Sequence, residues 1–290
     1  MFVSWRVKAL FVGPAVAYFA VFMLLPVLAA LGLAWTSWTG FDIGQASWTG
    51  ADNFVALVHD PVFGKALWHT ALFVLLSTVL LNVTGLLVAM LINTRARGHD
   101  FLRVAMCVPL ALSPVITAVL WQYLLGPYGL VNQLLSDVLG ITGEPIGFLG
   151  EPALAFATIV SATVWQYSGI NMLLFYAGLQ SLPSERLEAA AIDGAGWWSR
   201  TRFVVLPHLR PVLAIAVLLN LIGGWKVFDL VYVLTKGGPN RSTEMLSTYL
   251  YEQAFTINNV GFAAAIGCVT CALAIASMLV RRPLAGAEYA

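Results

Sequence analysis

Between Leu182 and Pro211 the sequence reads L-P-S-E-R-L-E-A-A-A-I-D-G-A-G-W-W-S-R-T-R-F-V-V-L-P-H-L-R-P. This is the most polar long segment of the chain, and it lies between two hydrophobic runs that are each long enough to cross a bilayer. It contains four arginines and three acids. A loop of this composition between two spans indicates a surface that contacts a partner in the aqueous phase.

The composition of the whole chain is that of a membrane protein. The 290 residues are 60% hydrophobic and 10% charged, whereas soluble domains carry about 25% charged residues. A net charge of +1 without a basic block gives no indication of a nucleic-acid partner. The pair Cys268-x-x-Cys271 can be redox-active or metal-binding, but we favour two small helix residues because no further His or Cys is near it.

Length and apolarity predict an all-α membrane protein with one domain over 1–290. We expect six transmembrane helices, at about 9–33, 68–92, 104–125, 152–179, 211–234 and 260–280. The first apolar run is longer than the roughly 7–15-residue core of a signal peptide. It is therefore expected to be an uncleaved first span.

The distribution of Lys and Arg predicts the orientation. Eleven of the fifteen basic residues fall at the two chain ends and in the loops after the second and fourth spans. The opposite loops hold only Lys65, Lys236 and Arg241, and Lys226 lies inside the fifth span. By the positive-inside rule, both termini and the loop at 180–210 are expected to be cytoplasmic.

A short helix is predicted at the start of this loop. Pro183 fixes φ, Ser184 can cap the first turn, and Glu185 suits the positive end of the helix dipole. Gly194 can end the helix in a left-handed conformation. A second short helical element is expected to follow from Gly196 to Arg202.

The predicted helix has a small apolar face. Leu187, Ala190 or Ala191, and Gly194 share it at helical spacing, and small side chains let another surface come close. An alternative stays open, namely a helix that rests on lipid headgroups, since Trp197 and the nearby arginines suit a membrane interface.

The loop carries a signature. Glu188-Ala189-Ala190, Asp193-Gly194-Ala195, Leu206-Pro207 and Pro211 resemble the EAA signature of binding-protein-dependent ABC importer permeases. One departure is Thr201, where many members have an aromatic residue. The resemblance implies a coupling helix that docks in a groove of an ATPase subunit, through Ser184, Glu185, Leu187, Glu188, Ala189, Ala190, Asp193, Gly194 and Ala195.

A second set of residues is similar to the carbohydrate branch of that family. It consists of Phe228-Asp229-x-Val231-Tyr232-x-Leu234-Thr235-x-Gly237-Gly238-Pro239, Tyr251-x-x-Ala254-Phe255 and Gly50-x-x-Asn53-Phe54. These stretches resemble the first permease of the maltose and glycerol-3-phosphate importers. The substrate class stays open between saccharides of different length and glycerophosphodiesters.

The resemblance also implies the architecture and the partners. The expected fold is the type I ABC importer permease bundle, in a bacterial or archaeal cytoplasmic membrane. The expected partners are a second homologous permease, a dimer of ATPase subunits, an extracytoplasmic solute-binding protein and membrane lipid. The outer loops are either a docking surface for that binding protein or plain connectors.

Polar residues inside the predicted spans are candidates for a solute path, because they usually face the interior of the bundle. Tyr167, Asn82 and Asn220 belong to this group, and Lys226 and Asp229 could pair at i, i+3 on the fifth span. Each candidate can instead be structural. The predicted path residues are Gln122, Trp165, Gln166, Ser168, Asn171, Trp225, Lys226 and Asp229.

Catalytic motifs are missing from the sequence. It has no G-x-x-x-x-G-K-[ST] and no H-E-x-x-H, and its four histidines are scattered. We therefore expect a non-catalytic subunit without a cofactor of its own, with ATP and Mg²⁺ bound by the partner ATPase. The alternative function is a stand-alone six-span secondary carrier or channel, which would need membrane-buried acids or an internal repeat.

Overall fold

The computed structural model describes residues 5–42, 44, 46–94, 97–140 and 144–279. The described chain is built of helices, and an isolated β-bridge joins Thr36 to Trp48. The prediction of an all-α protein is confirmed. Three residues counted for the orientation lie outside the described residues: Arg95, Arg281 and Arg282.

Fifteen α-helices follow one another within the described residues. They are α1 (Trp5–Phe19), α2 (Leu25–Leu33), α3 (Asp52–His59), α4 (Pro61–Asn93), α5 (His99–Cys107), α6 (Pro114–Leu125), α7 (Leu130–Gln133), α8 (Pro152–Gln180), α9 (Ser184–Ile192), α10 (Trp197–Arg200), α11 (Leu206–His208), α12 (Arg210–Trp225), α13 (Asp229–Leu234), α14 (Leu246–Tyr251) and α15 (Val260–Leu279).

Five described helical stretches are long and apolar enough to cross a membrane, and a sixth candidate is a bent pair. The bent pair consists of Trp197–His208 and Arg210–Trp225, which meet at 68°. The five straight candidates are Leu10–Leu33, Pro61–Asn93, Pro114–Ser136, Pro152–Gln180 and Val260–Leu279.

The third predicted span, 104–125, is not one helix. Helix α5 and a 3₁₀ turn, Val108–Ala111, end before Leu112, and α6 begins at Pro114. Proline at 114 pushes the preceding Ser113 into an extended conformation, with ψ of 152°. The backbone therefore leaves the helix at Leu112, and helix α6 begins two residues later.

The fifth predicted span, 211–234, is also interrupted. Helix α12 ends at Trp225, and α13 begins only at Asp229. Gly223 and Gly224 favour this end because glycine is a poor helix former. Their carbonyls accept short-range bonds from the amides of Lys226 (3.2 Å) and Val227 (3.3 Å), as in a tightened last turn.

The residue contacts divide the described chain into two compact units, whereas the sequence predicts one domain. The first unit comprises residues up to 64 together with 249–271. In it, the side-chain amide of Asn53 donates to the carbonyls of Ala34 (2.8 Å) and Thr36 (2.9 Å). These bonds fix the chain where it leaves α2.

The second unit, 65–248 with the residues from 272 onward, contains two hydrophobic clusters. The Phe73 cluster joins α4, α6, α8 and α13 through Phe73, Ala118, Ile159, Val160, Ala162, Leu230, Val231, Leu234 and Met245. The Phe175 cluster joins α4, α8 and α12 through Ala89, Ile92, Met172, Phe175, Leu179, Val205, Leu209 and Ala216.

Glycine lets two helices of the second unit approach closely. A Cβ atom at Gly169 of α8 would collide with the carbonyl oxygen of Met106 in α5. A Cβ atom at Gly85 of α4 would lie 2.5 Å from the Cβ of Asn171 in α8. The packing of α4 and α5 on α8 therefore depends on the absence of a side chain at these positions.

We predict that Gly169→Ala lowers the free energy of unfolding by about 1–3 kcal/mol, because overpacking must separate α8 from α5. The matched control is Gly32→Ala, since nothing lies within 4 Å of a Cβ atom at Gly32. Thermal unfolding of the detergent-solubilised proteins measures the difference. Equal melting temperatures for the two variants would contradict the proposed close packing.

Candidate functional site

The loop after α8 begins with helix α9, as predicted, but its first turn differs from the prediction. Pro183 takes the N-cap position with an extended backbone, at ψ of 129°. Ser184 is the first helical residue and therefore does not occupy the N-cap position. The prediction that Ser184 caps the helix is therefore wrong, because the extended conformation required of a cap falls on Pro183.

The end of α9 follows the prediction. Gly194 adopts a left-handed conformation, at φ of +76°. The amide of Ala195 donates to the carbonyl of Ala190 (2.9 Å), and the amide of Gly194 donates to that of Ala191 (3.1 Å). These two bonds form a Schellman motif, which satisfies carbonyls that the helix end would leave unpaired.

The two faces of α9 have different surroundings. Leu187 packs against the Phe175 cluster, and Ala190 beside it is half-buried. Of the apolar face that we expected to be free for docking, Leu187 and Ala190 are half-buried against the protein, whereas Ala191 and Gly194 are exposed. The opposite face is exposed and consists of Glu185, Glu188, Ala189 and Ile192 at i, i+3, i+4 and i+7 spacing.

Sequence reasoning missed Ile192. It is 86% exposed and lies beside the acids of the exposed face. The signal was present in the sequence, since Ile192 follows Glu185 by seven residues and Glu188 by four. Of the described residues, none forms an ion pair with Glu185, Glu188 or Asp193, which leaves their charge available at the surface.

The loop is attached firmly to the ends of the long helices. Leu209 and Val205, after α10, belong to the same cluster as Leu179 of α8. The hydroxyl of Ser181 lies 3.1 Å from Nε2 of His208. The amide of Gln180 donates to Oδ1 of Asn93 at the end of α4 (3.1 Å). The loop that carries α9 is therefore connected to the ends of α4 and α8.

A cavity of about 380 Å³ lies in the second unit, on the parts of α4 and α8 between the two hydrophobic clusters. Its wall is mostly apolar and includes Phe73 and Phe228. Six polar side chains also line it: Ser77, Thr163, Tyr167, Asn220, Lys226 and Asp229. This combination can hold a small polar molecule by stacking and by hydrogen bonds.

Lys226 and Asp229 do not pair as predicted. The interruption after Trp225 places them on different elements, so that the i, i+3 geometry of a single helix is lost. Neither forms an ion pair with a described residue, and both are exposed and line the cavity. The cavity thus presents one cationic and one anionic group.

Two glutamines of the predicted path have structural partners instead. The amide of Gln166 donates to the carbonyl of Leu112 at the interruption before α6 (2.9 Å). The amide of Gln122 donates to the carbonyls of Val233 (2.6 Å) and Leu234 (3.1 Å) at the end of α13. Neither side chain lines the cavity.

The other predicted path residues also lie outside the cavity wall. Asn171 is buried, and its side-chain amide exchanges two hydrogen bonds of 3.4 Å with that of Asn220, which does line the cavity. Ser168 and Trp225 are buried, whereas Trp165 packs edge-on against Trp121 at 6.2 Å. None of these four residues lines the cavity.

Ser77 and Thr163 are cavity residues that sequence reasoning missed. Each hydroxyl donates to a carbonyl four residues earlier, that of Phe73 (2.6 Å) and that of Ile159 (2.8 Å). A serine or threonine within a span carries no periodic signal that separates this local bonding from a site. Among the described residues, no group of three His, Cys, Asp or Glu could hold a metal ion.

The chain is similar to known permease proteins over most of its length. The lactose transport system permease protein LacF of Rhizobium radiobacter is 36% identical over 264 residues, 90% of this chain and 87% of that protein. The trehalose/maltose transport system permease protein MalF of Thermococcus litoralis is 33% identical over 272 residues, 93% of this chain and 90% of that protein.

A solved structure shares the fold. A chain of a bacterial alginate ABC transporter, crystallised with an alginate pentasaccharide-bound periplasmic protein, superposes with a TM-score of 0.82. The match covers 97% of this chain and 93% of that chain at 24% identity.

Residues 81–285 match the family described as "Binding-protein-dependent transport system inner membrane component". This match covers the loop with the EAA signature, and it confirms the resemblance inferred from the residues. The chain belongs to the family of binding-protein-dependent transport system inner membrane components, the permease subunits of ABC importers.

Proposed function

We propose that this chain is the carbohydrate-conducting permease subunit of an ATP-driven importer and that α9 couples it to the ATPase. The observation that carries the proposal is the division of α9 into two faces. Leu187 is fixed in the Phe175 cluster, while Glu185, Glu188, Ala189 and Ile192 are exposed. A helix built in this way can bind a partner on one side and move the spans on the other.

The exposed face suits a groove on a water-soluble partner. Ile192 supplies an apolar anchor, and Glu185 and Glu188 beside it supply charge that fixes the orientation. Closure of the ATPase dimer on ATP displaces α9 through this face, and Leu187 transmits the displacement to α4 and α8. ATP and Mg²⁺ are bound by that partner, so that the permease itself carries out no hydrolysis.

The orientation follows from the basic residues. Arg97, Arg186, Arg202 and Arg210 are exposed on the side of α9 or in the loop after α4. The positive-inside rule then places α9 and both termini in the cytoplasm and the permease in the cytoplasmic membrane. ATP is available on that side, as the coupling role of α9 requires.

The solute passes through the cavity beside the interrupted α12. A volume of about 380 Å³ falls in the roughly 300–1,000 Å³ range of small-molecule sites. Tyr167 and Phe228 offer ring faces, while Asn220, Lys226 and Asp229 offer donors and acceptors. Hydroxyl-rich sugars need both ring faces and hydrogen-bonding groups. The sugar transport named for the relatives LacF and MalF supports this substrate class.

The remaining partners complete the importer. A second, homologous permease provides the other half of the path, and an extracytoplasmic binding protein delivers the sugar to the outer loops at about 35–67, 126–151 and 235–259. The alginate transporter crystallised with its periplasmic protein supports such a partner. The alternative of a stand-alone secondary carrier or channel has no support in the family match.

We predict that Ile192→Asp weakens ATPase binding and lowers ATP-driven sugar uptake by at least about tenfold, because it places a charge in an apolar contact. Glu188→Lys should act in the same direction by reversing a neighbouring charge. Uptake and ATP hydrolysis of the reconstituted importer are the measurements. Ile192→Leu, which keeps the apolar anchor, serves as the control, and normal uptake by the Asp variant would contradict the docking face.

We predict that Asp229→Asn and Lys226→Gln each raise the sugar concentration for half-maximal uptake by about fivefold, since each replaces a charge-assisted hydrogen bond to the solute by a weaker neutral one. Trp165→Phe should change it less than about twofold because Trp165 lies outside the cavity. Concentration-dependent uptake in membrane vesicles separates the two. A large effect of Trp165→Phe combined with none of Asp229→Asn would place the path elsewhere.

A further inference from the structure

A second cavity lies on the side of the membrane that carries α9. It has a volume of about 210 Å³ and is formed where the ends of α4 and α8 meet the loop. Met90, Leu179 and Val205 form its apolar wall, while Asn93, Thr94 and Arg200 line its polar part. We call it the Arg200 groove.

Arg200 lies in this groove without an acidic partner. Its side chain is half-buried, and no carboxylate of the described chain forms an ion pair with it. The other groove residues with polar atoms, Asn93, Thr94 and Thr201, are neutral. A partly desolvated guanidinium gains most from a negative group that supplies several oxygens, such as a phosphate.

The surroundings of the groove are those of a membrane interface. Trp197, which also lines the groove, is 63% exposed, and Trp198 beside it is 64% exposed. Phe203 is 69% exposed, and the guanidinium of Arg202 lies 5.6 Å from the centre of its ring. Tryptophan, phenylalanine and arginine in this combination are typical of the headgroup region.

We infer that the Arg200 groove binds an anionic phospholipid of the cytoplasmic leaflet. Arg200 binds the phosphate, and the amide of Asn93 and the hydroxyl of Thr94 bind the polar headgroup. The beginning of an acyl chain lies along Met90, Leu179 and Val205. Basic pockets between helix ends on the cytoplasmic side are recognised sites for anionic headgroups.

The site has a consequence for coupling because Leu187 of α9 also lines the groove. A bound lipid contacts the same side chain that anchors α9 in the Phe175 cluster. Anionic lipid therefore stabilises the attached position of α9, and the importer becomes sensitive to the lipid composition of the membrane. The inference rests on the proposed orientation, but it involves no particular solute.

Native mass spectrometry of the full chain, purified with the subunits that accompany it, tests the site without a transport assay. Phosphatidylglycerol is titrated against phosphatidylcholine as the zwitterionic comparison. We expect preferential retention of phosphatidylglycerol, and we expect Arg200→Gln to weaken it by about tenfold, as for the loss of a charge-assisted hydrogen bond. Arg200→Lys, which keeps the charge, should retain a preference for phosphatidylglycerol.

Arg186→Gln is the matched control. Arg186 is equally basic, but its side chain is exposed on α9 and lies outside the groove. Phosphatidylglycerol should also raise the melting temperature of the wild type and of Arg186→Gln, but not that of Arg200→Gln. Equal binding of the two lipids would overturn the inference, as would unchanged binding by Arg200→Gln. Cross-linking of Trp197→Cys to the ATPase in place of lipid would identify a protein occupant and overturn it as well.

Discussion

The structure depends on how backbone polar groups are satisfied where two membrane helices are interrupted. Hydrocarbon offers no partner for a free amide or carbonyl, so irregular backbone is tolerated only inside protein or beside a polar cavity. Gln166 donates to the carbonyl of Leu112, Gln122 to those at the end of α13, and Ser247 to that of Val227. The bond from Gln166 lies at the first interruption and the bond from Ser247 at the second, near Lys226, which opens onto the cavity.

The fold class, the positions of the apolar segments and the family could be predicted from the sequence. The length of the apolar runs identifies the spans. Gly194 ends α9 as predicted, because glycine readily adopts the left-handed conformation of a helix C-terminus. The interruptions at Leu112 and Lys226 were not predicted, because the proline and glycine residues that favour them are also tolerated within membrane helices. Gln122 and Gln166 were predicted to line the path because polar residues within spans usually face the bundle interior. Their hydrogen-bond partners lie far away in sequence, so no local pattern indicates these contacts.

The two candidate sites are joined by one packed region. Leu187 of α9 packs against the cluster that contains Leu179 and Phe175 of α8. About one turn before Phe175 on α8, Asn171 pairs with Asn220 at the cavity. Close-packed side chains transmit a displacement instead of absorbing it, because such interiors have low compressibility. Under the proposed function, this continuity is the route from ATPase closure to the solute cavity, with Leu187 in the central position.

The most direct test of this account is Leu187→Ala in the reconstituted importer, with ATPase retention, ATP hydrolysis and sugar uptake measured on the same preparation. The docking face of Glu185, Glu188 and Ile192 is unchanged in this variant, so the account predicts that the ATPase stays bound and hydrolyses ATP. Uptake should fall by about tenfold or more, because truncating this half-buried side chain loosens the connection to α8. Normal uptake by Leu187→Ala, with the ATPase still bound, would contradict the account.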